Sequence, residues 1–189
     1  MPAMERNARR LVFETHATSY DNEAGLASGH YDVDLSPSGE QQAAALGMRY
    51  AVELPSLVVA SDLRRSWRTA EIAFGKRVTV MRDGRLRECD YGTLARRPTR
   101  EIDRRRVAAI DTPFPGGESY AQATARVASW LGDLIAAWPG GWVLVVGHRA
   151  THYALDHLLG GVPLSDAVGA KFEWQPGWTY VVPARNAGA

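Results

Sequence analysis

With a single cysteine, Cys89, the chain cannot close an intrachain disulfide. This excludes the stapled folds of small secreted domains and points to a reducing, cytoplasmic setting. Long apolar runs are missing as well: nowhere do about 18 apolar residues follow one another, as a membrane-spanning helix requires. After Arg6, Arg9 and Arg10 only Leu11, Val12 and Phe13 precede polar residues, too short an apolar stretch for a secretory leader. Charge of one sign is scarcely in excess. The 22 Lys and Arg against 21 Asp and Glu leave a formal net charge of +1, so no global field draws the protein toward nucleic acid or an anionic membrane. Internal repeats and low-complexity linkers are absent too. A length of 189 residues with 46% hydrophobic content predicts one domain over 1–189, with its core at about 10–183.

Three valine-rich apolar runs, 11–13, 57–60 and 142–146, predict buried strands, and each ends in a polar cluster. Between them helical spacing recurs over 38–50, 63–74 and 120–138. Pro37, Ser38 and Gly39 mark a helix start, and Pro139, Gly140 and Gly141 a helix stop. Strands alternating with helices predict an α/β fold, a three-layer αβα sandwich around a mainly parallel central sheet. In such a fold ligands sit beyond the carboxyl ends of the strands. The least regular stretch, 82–117, carries Arg96, Arg97, Arg100, Arg104, Arg105 and Arg106; it reads equally as a lid that draws in anions or as a solvated helix face. The tail 183–189 is expected to fray.

The strand ends carry the chemistry. His16 follows the first run; Arg64, Arg65 and Arg68 open the helix after the second; His148 and Arg149 follow the third. One histidine after a strand is more often a satisfied polar residue than a nucleophile. Two histidines and an arginine cluster after three separate strands describe a pocket for a phosphorylated small molecule, since free N–H groups at a helix start also favour anions.

Five segments, in order, resemble the histidine phosphatase superfamily, in its phosphoglycerate mutase-like branch (branch 1). They are 11–22; Asp34, Leu35, Ser36, Gly39, Gln42 and Ala43; 61–71; 87–92; and 115–119 with 145–148. The resemblance implies a phosphatase that needs no metal or other cofactor and hydrolyses a small phosphate monoester through a phosphohistidine. It implies that His16 is the nucleophile, that Glu88 is the proton donor and that Arg65 holds the phosphate. Asn22 and His148 complete the cradle, and Ser119, in the loop from Gly116, borders the substrate. The chain departs from the family at Thr15, where the family has an arginine, and at Ala17, where it has a glycine. Losing a charge-assisted hydrogen bond of about 1.5–3 kcal/mol costs about 10- to 150-fold in phosphate affinity or rate. Arg149, or an arginine of 96–106, is the expected replacement for that charge beside Thr15. The alternatives are a mutase-type phosphotransferase, and a diverged member that takes another ligand or binds without catalysis.

Other readings carry less. His148 and His152 stand four apart, as metal ligands on one helix face do, but no glutamate accompanies them and no metal site is expected. Glu88 has an alternative as a surface ion pair with Arg85 or Arg87. Phe172, Trp174, Trp178 and Tyr180 lack a basic run beside them, which favours an edge strand over a nucleic-acid platform. Trp138, Trp174 and Trp178 suit either a core or a homodimer contact.

Overall fold

The computed structural model describes residues 9–183; the tail expected to fray lies, beyond Pro183, outside the described residues. In chain order the elements are β1 (Arg9–Thr15), α1 (Tyr20–Glu23), β2 (Leu26–Ala27), α2 (Pro37–Arg49), β3 (Leu57–Ala60), α3 (Arg64–Phe74) and β4 (Val80–Arg82). Then follow β5 (Arg97–Pro98), α4 (Thr99–Arg105), α5 (Tyr120–Ala136), β6 (Trp142–Gly147), α6 (Arg149–Leu158), α7 (Leu164–Gly169) and β7 (Trp178–Val182).

The main sheet has five strands in the order β4-β3-β6-β1-β7. β3 pairs in parallel with β4 and with β6, and β6 in parallel with β1. Only the edge strand β7 runs antiparallel, on β1. The predicted strands and helices therefore stand within a few residues of their expected ends, and the C-terminal aromatics form the expected edge strand.

Period-two alternation sorts each central strand between two cores. Leu11, Phe13, Val143 and Val145 face Val127, Trp130, Leu131 and Leu134 of α5. Val12, Leu144 and Val146 face the other way, onto Leu46 of α2 and Ala70, Ala73 and Phe74 of α3. Burial on both faces is why these strands read as unbroken apolar runs. A third cluster joins Tyr91, Ile102, Phe114, Tyr120, Tyr153 and Val168. It pins the arginine-rich segment to α5 and α6 through the buried Ile102 of α4.

Four of the six arginines of that segment are ion-paired. Arg97 and Arg105 both reach Glu101, Arg106 reaches Asp103, and Arg96 reaches the buried Asp21. Of its two readings, the structure describes a packed helix with a compensated outer face. Among the described residues no helix is long and apolar enough to cross a membrane.

Candidate active site

Sheet register builds the centre of the site. Thr15 is paired with Gly147 across β1 and β6, so the next residue on each strand, His16 and His148, emerges from the same edge of the sheet. The His16 N–H donates to the Gly147 carbonyl at 3.0 Å. The two imidazoles end 4.9 Å apart between centroids, inclined at 57°.

The ring of His16 is oriented from its own backbone. Its Nδ1 lies 2.7 Å from the Ala17 carbonyl, and because a carbonyl only accepts, Nδ1 carries the proton and Nε2 keeps its lone pair. Burial, reinforced by the positive charge of Arg65, pushes the His16 pKa from 6.5 down to about 3, so the ring is neutral at neutral pH. The loop beneath is held at both ends: Ala17 N–H donates to Thr69 Oγ1 of α3, and Thr18 N–H to Gln42 Oε1 of α2. Gly39 is required here, since a Cβ on it would stand 1.9 Å from the Thr18 carbonyl oxygen.

His148 is 1% exposed, and neither of its ring nitrogens has a hydrogen-bond partner among the described residues. Buried polar atoms are nearly always satisfied, so this ring is a ready contact for a ligand placed between it and His16. Its pKa is depressed well below 6.5, first by burial and then by Arg65 and His16.

Arg65, in the first turn of α3, is 2% exposed. Its guanidinium donates to the carbonyls of Tyr31 at 3.0 Å and Gly29 at 2.8 Å, which anchors the cation while leaving donors uncommitted. Gly29 has a left-handed φ of +56°, and an added Cβ would press on Tyr91, so the carbonyl that grips Arg65 depends on a glycine.

Glu88 is 8% exposed. Its Oε1 accepts from the N–H groups of Cys89 at 2.8 Å and Ala150 at 3.1 Å; Oε2 has no protein partner among the described residues. The surface ion pair is ruled out by the geometry: Arg85 pairs with Asp83 and Asp133, and Arg87 with Asp62 through two hydrogen bonds of 2.7 Å. The Glu88 carbonyl is gripped in turn by His30 Nε2 at 2.9 Å and Arg126 at 2.8 Å. Sequence reasoning gave His30 no role and missed Arg126, which has no motif around it and reaches Glu88 from the middle of α5.

Four further residues take distinct places. Asn22 closes a capping box at α1, its Oδ1 accepting from the N–H and hydroxyl of Ser19, while its amide nitrogen has no partner among the described residues. Ser119, expected beside the substrate, is buried, and its hydroxyl caps α5 by accepting from Gln122 N–H. Arg149 lies one residue before the Ala150 N–H that holds Glu88; its guanidinium donates to the Tyr153 hydroxyl at 3.0 Å and reaches Asp103 at 3.3 Å. Thr15 lines a cleft beside His16. His152 sits among Phe13, Phe172 and Trp178. Its ring is 3.2 Å from Asp156.

Three histidines held neutral by burial make stability pH-dependent. His16, His148 and His152 all have depressed pKa values, in each case chiefly through burial. Below 6.5 the unfolded chain takes up protons that the folded one refuses, so stability falls as pH falls, by at most about 1.4 kcal/mol per pH unit for each histidine. Urea midpoints should drop steadily from pH 7 to pH 5. A flat profile would show that these rings are protonated in the folded protein.

The chain is 32% identical over 167 residues to phosphoserine phosphatase 1 of Hydrogenobacter thermophilus, covering 82% of this chain and 78% of that one. It is 32% identical over 177 residues to glucosyl-3-phosphoglycerate phosphatase of Mycobacterium tuberculosis, covering 84% and 78%. The solved mycobacterial glucosyl-3-phosphoglycerate phosphatase in complex with VO3 superposes with a TM-score of 0.77 at 30% identity, over 87% of this chain and 88% of that one. Residues 11–182 match the sequence pattern of the histidine phosphatase superfamily, branch 1; with the paired strand-end histidines in its sheet, the chain belongs to that family.

Proposed function

We propose that the protein hydrolyses a small phosphate monoester through a phosphohistidine at His16. The observation that carries the assignment is the neutral His16 ring, its Nδ1 tied to the Ala17 carbonyl at 2.7 Å and its face 4.9 Å from the unpartnered His148. The Nε2 lone pair attacks phosphorus, and the bond to the ester oxygen breaks. Glu88 gives a proton to the departing alkoxide from the oxygen left free by the Cys89 and Ala150 N–H groups. Water then attacks the phosphohistidine, Glu88 takes back a proton, and inorganic phosphate leaves His16 free. Arg65, His148 and the amide nitrogen of Asn22 stabilise the charge on the non-bridging oxygens. Ser119 contributes by capping α5, the helix that carries Arg126 to Glu88.

In this reading Arg149 supplies the charge absent at Thr15; its backbone adjoins the Ala150 N–H that holds Glu88, and its guanidinium would turn to the substrate from Tyr153 and Asp103. Arg149→Ala is expected to lower kcat/KM by about 10- to 150-fold, the equivalent of one charge-assisted hydrogen bond. Unchanged turnover and phosphate affinity would remove Arg149 from the site.

The reaction takes place without a metal, within one domain, and the buried, solitary Cys89 fits a cytoplasmic enzyme. Trp138 and Trp178 pack against the core, which leaves Trp174 as the only one of the three tryptophans suited to a homodimer contact. The deciding experiment is phosphate release from a panel of sugar, nucleotide and amino-acid phosphates with EDTA present. Release by the wild type supports the assignment. Dependence on a bisphosphorylated primer would instead make the protein a mutase, and no release from any ester would favour the ligand-binding alternative.

A further inference from the structure

Among the described residues Arg96 is the only one other than glycine with a left-handed backbone, at φ +62°. A Cβ is unfavourable there, and such a conformation persists only where surrounding contacts fix it. The Arg96 N–H donates to the Ala27 carbonyl at 2.7 Å, beside the pairing of Leu26 and Ala27 of β2 with Pro98 and Arg97 of β5. Its guanidinium lies 3.1 Å from Asp21 Oδ1 and 4.5 Å from the centroid of the Tyr31 ring.

Both side-chain contacts lead to the phosphate cradle. Asp21 immediately precedes Asn22 in α1, and Tyr31 offers the carbonyl that accepts from Arg65 at 3.0 Å. Asp21 is 2% exposed. Its other oxygen accepts from the Ser28 hydroxyl at 3.0 Å, so among the described residues Arg96 is the only cation paired with this carboxylate. A buried charge stripped of its partner is strongly unfavourable. Its field also reaches the site: burial lowers the Arg65 pKa, while Glu88, Tyr91, Asp32 and Asp21 act against that shift. Left without Arg96, Asp21 would repel the phosphate dianion that Arg65 is there to hold.

We propose that Arg96 is a positioning residue for the phosphate site: by neutralising Asp21 it keeps the segment that presents Asn22, and the carbonyl that anchors Arg65, in a form that accepts a phosphate dianion. The proposal rests on the assignment of Asn22 and Arg65 to phosphate binding, and it adds a residue that touches no substrate atom. The ion pair and the stacking on Tyr31 are the contacts that offset the strained backbone. A residue of the arginine-rich segment thereby serves the site from outside it.

Arg96→Gly is the central variant, because glycine takes this φ without strain and the change removes only the side chain. Calorimetric titration with inorganic phosphate and the kinetics of p-nitrophenyl phosphate are compared in the wild type, Arg96→Gly, Asp21→Asn and the double variant. Arg96→Gly is expected to bind phosphate about 10-fold more weakly, with a matching rise in KM and far less change in kcat. Adding Asp21→Asn should recover most of that loss, since an amide carries no charge to repel phosphate and needs no cation. A purely structural role predicts the opposite: the second substitution leaves the loss in place or deepens it, and that result, or unchanged phosphate affinity in Arg96→Gly, overturns the proposal. Asp21→Asn alone decides the matter if Arg96→Gly does not fold. Arg96 can still donate to the asparagine oxygen, so phosphate should bind at least as tightly as in the wild type, and a 10-fold loss overturns the proposal. Failure of the wild type to hydrolyse any ester while phosphate still binds removes the phosphatase reading alone and leaves the titrations to decide Arg96. No phosphate binding by the wild type overturns both.

Discussion

His16→Ala is expected to reduce phosphate release by at least about 10³-fold, because nothing else in the site offers a lone pair in its place. The second imidazole does not substitute for it. His148 projects from the neighbouring strand with a different orientation, 57° from His16. The fold should survive the change, since the His16 contacts that hold the loop are backbone ones: its N–H on Gly147 and the N–H groups of Ala17 and Thr18 on Thr69 and Gln42. Unfolding in urea would confirm that, and removal of a buried neutral histidine should also make stability less sensitive to pH below 6.5. Residual turnover within 10-fold of the wild type, in a folded variant, would exclude a phosphohistidine at this position.

Glu88→Gln should separate esters by the basicity of their leaving groups. With an alkyl phosphate the departing alkoxide needs a proton, and the loss is expected to be about 10²- to 10⁴-fold. With p-nitrophenyl phosphate the leaving group departs unprotonated, so formation of the phosphohistidine should be affected far less. The glutamine can still accept from Cys89 and Ala150 through its oxygen, which keeps the side chain in place and confines the effect to proton transfer. Equal losses for both esters would mean that Glu88 organises the pocket without serving as the acid.

Much of this was legible before any coordinates. The apolar runs at 57–60 and 142–146 mark β3 and β6 because strands covered on both faces have no polar side to show. His16, Arg65 and His148 were recognisable because their segments combine local structure with chemistry: each follows a strand, and Arg65 opens a helix. Ser119 was legible as a motif residue but not as a cap, since the Ser119 and Gln122 exchange of hydrogen bonds only exists once α5 forms. Arg126 was not legible at all. A single arginine in a helix reads as surface decoration, and its contact with the Glu88 carbonyl crosses 38 residues of sequence. The arginine-rich 96–106 stretch stayed undecided between a lid and a solvated face because two contacts that tie it to the rest of the fold, Arg96 with Asp21 and Arg106 with Tyr153, span 75 and 47 residues.

By itself, then, the sequence determined the order of strands and helices, the placement of histidines at strand ends and the family those segments belong to. All of these follow from interactions within a few residues, namely hydrophobic periodicity, helix starts and motif spacing. The tertiary structure decided what the same residues can do. Register across β1 and β6 placed His16 beside His148. The carbonyls of Gly29 and Tyr31 anchored Arg65, and two N–H groups held one oxygen of Glu88 while leaving the other free. The approach of α2 and Trp174 to β1 opened a cleft over Glu14 beside His16. Each depends on burial and hydrogen bonding between segments far apart in the chain, and those are settled only when the sheet closes on its two cores.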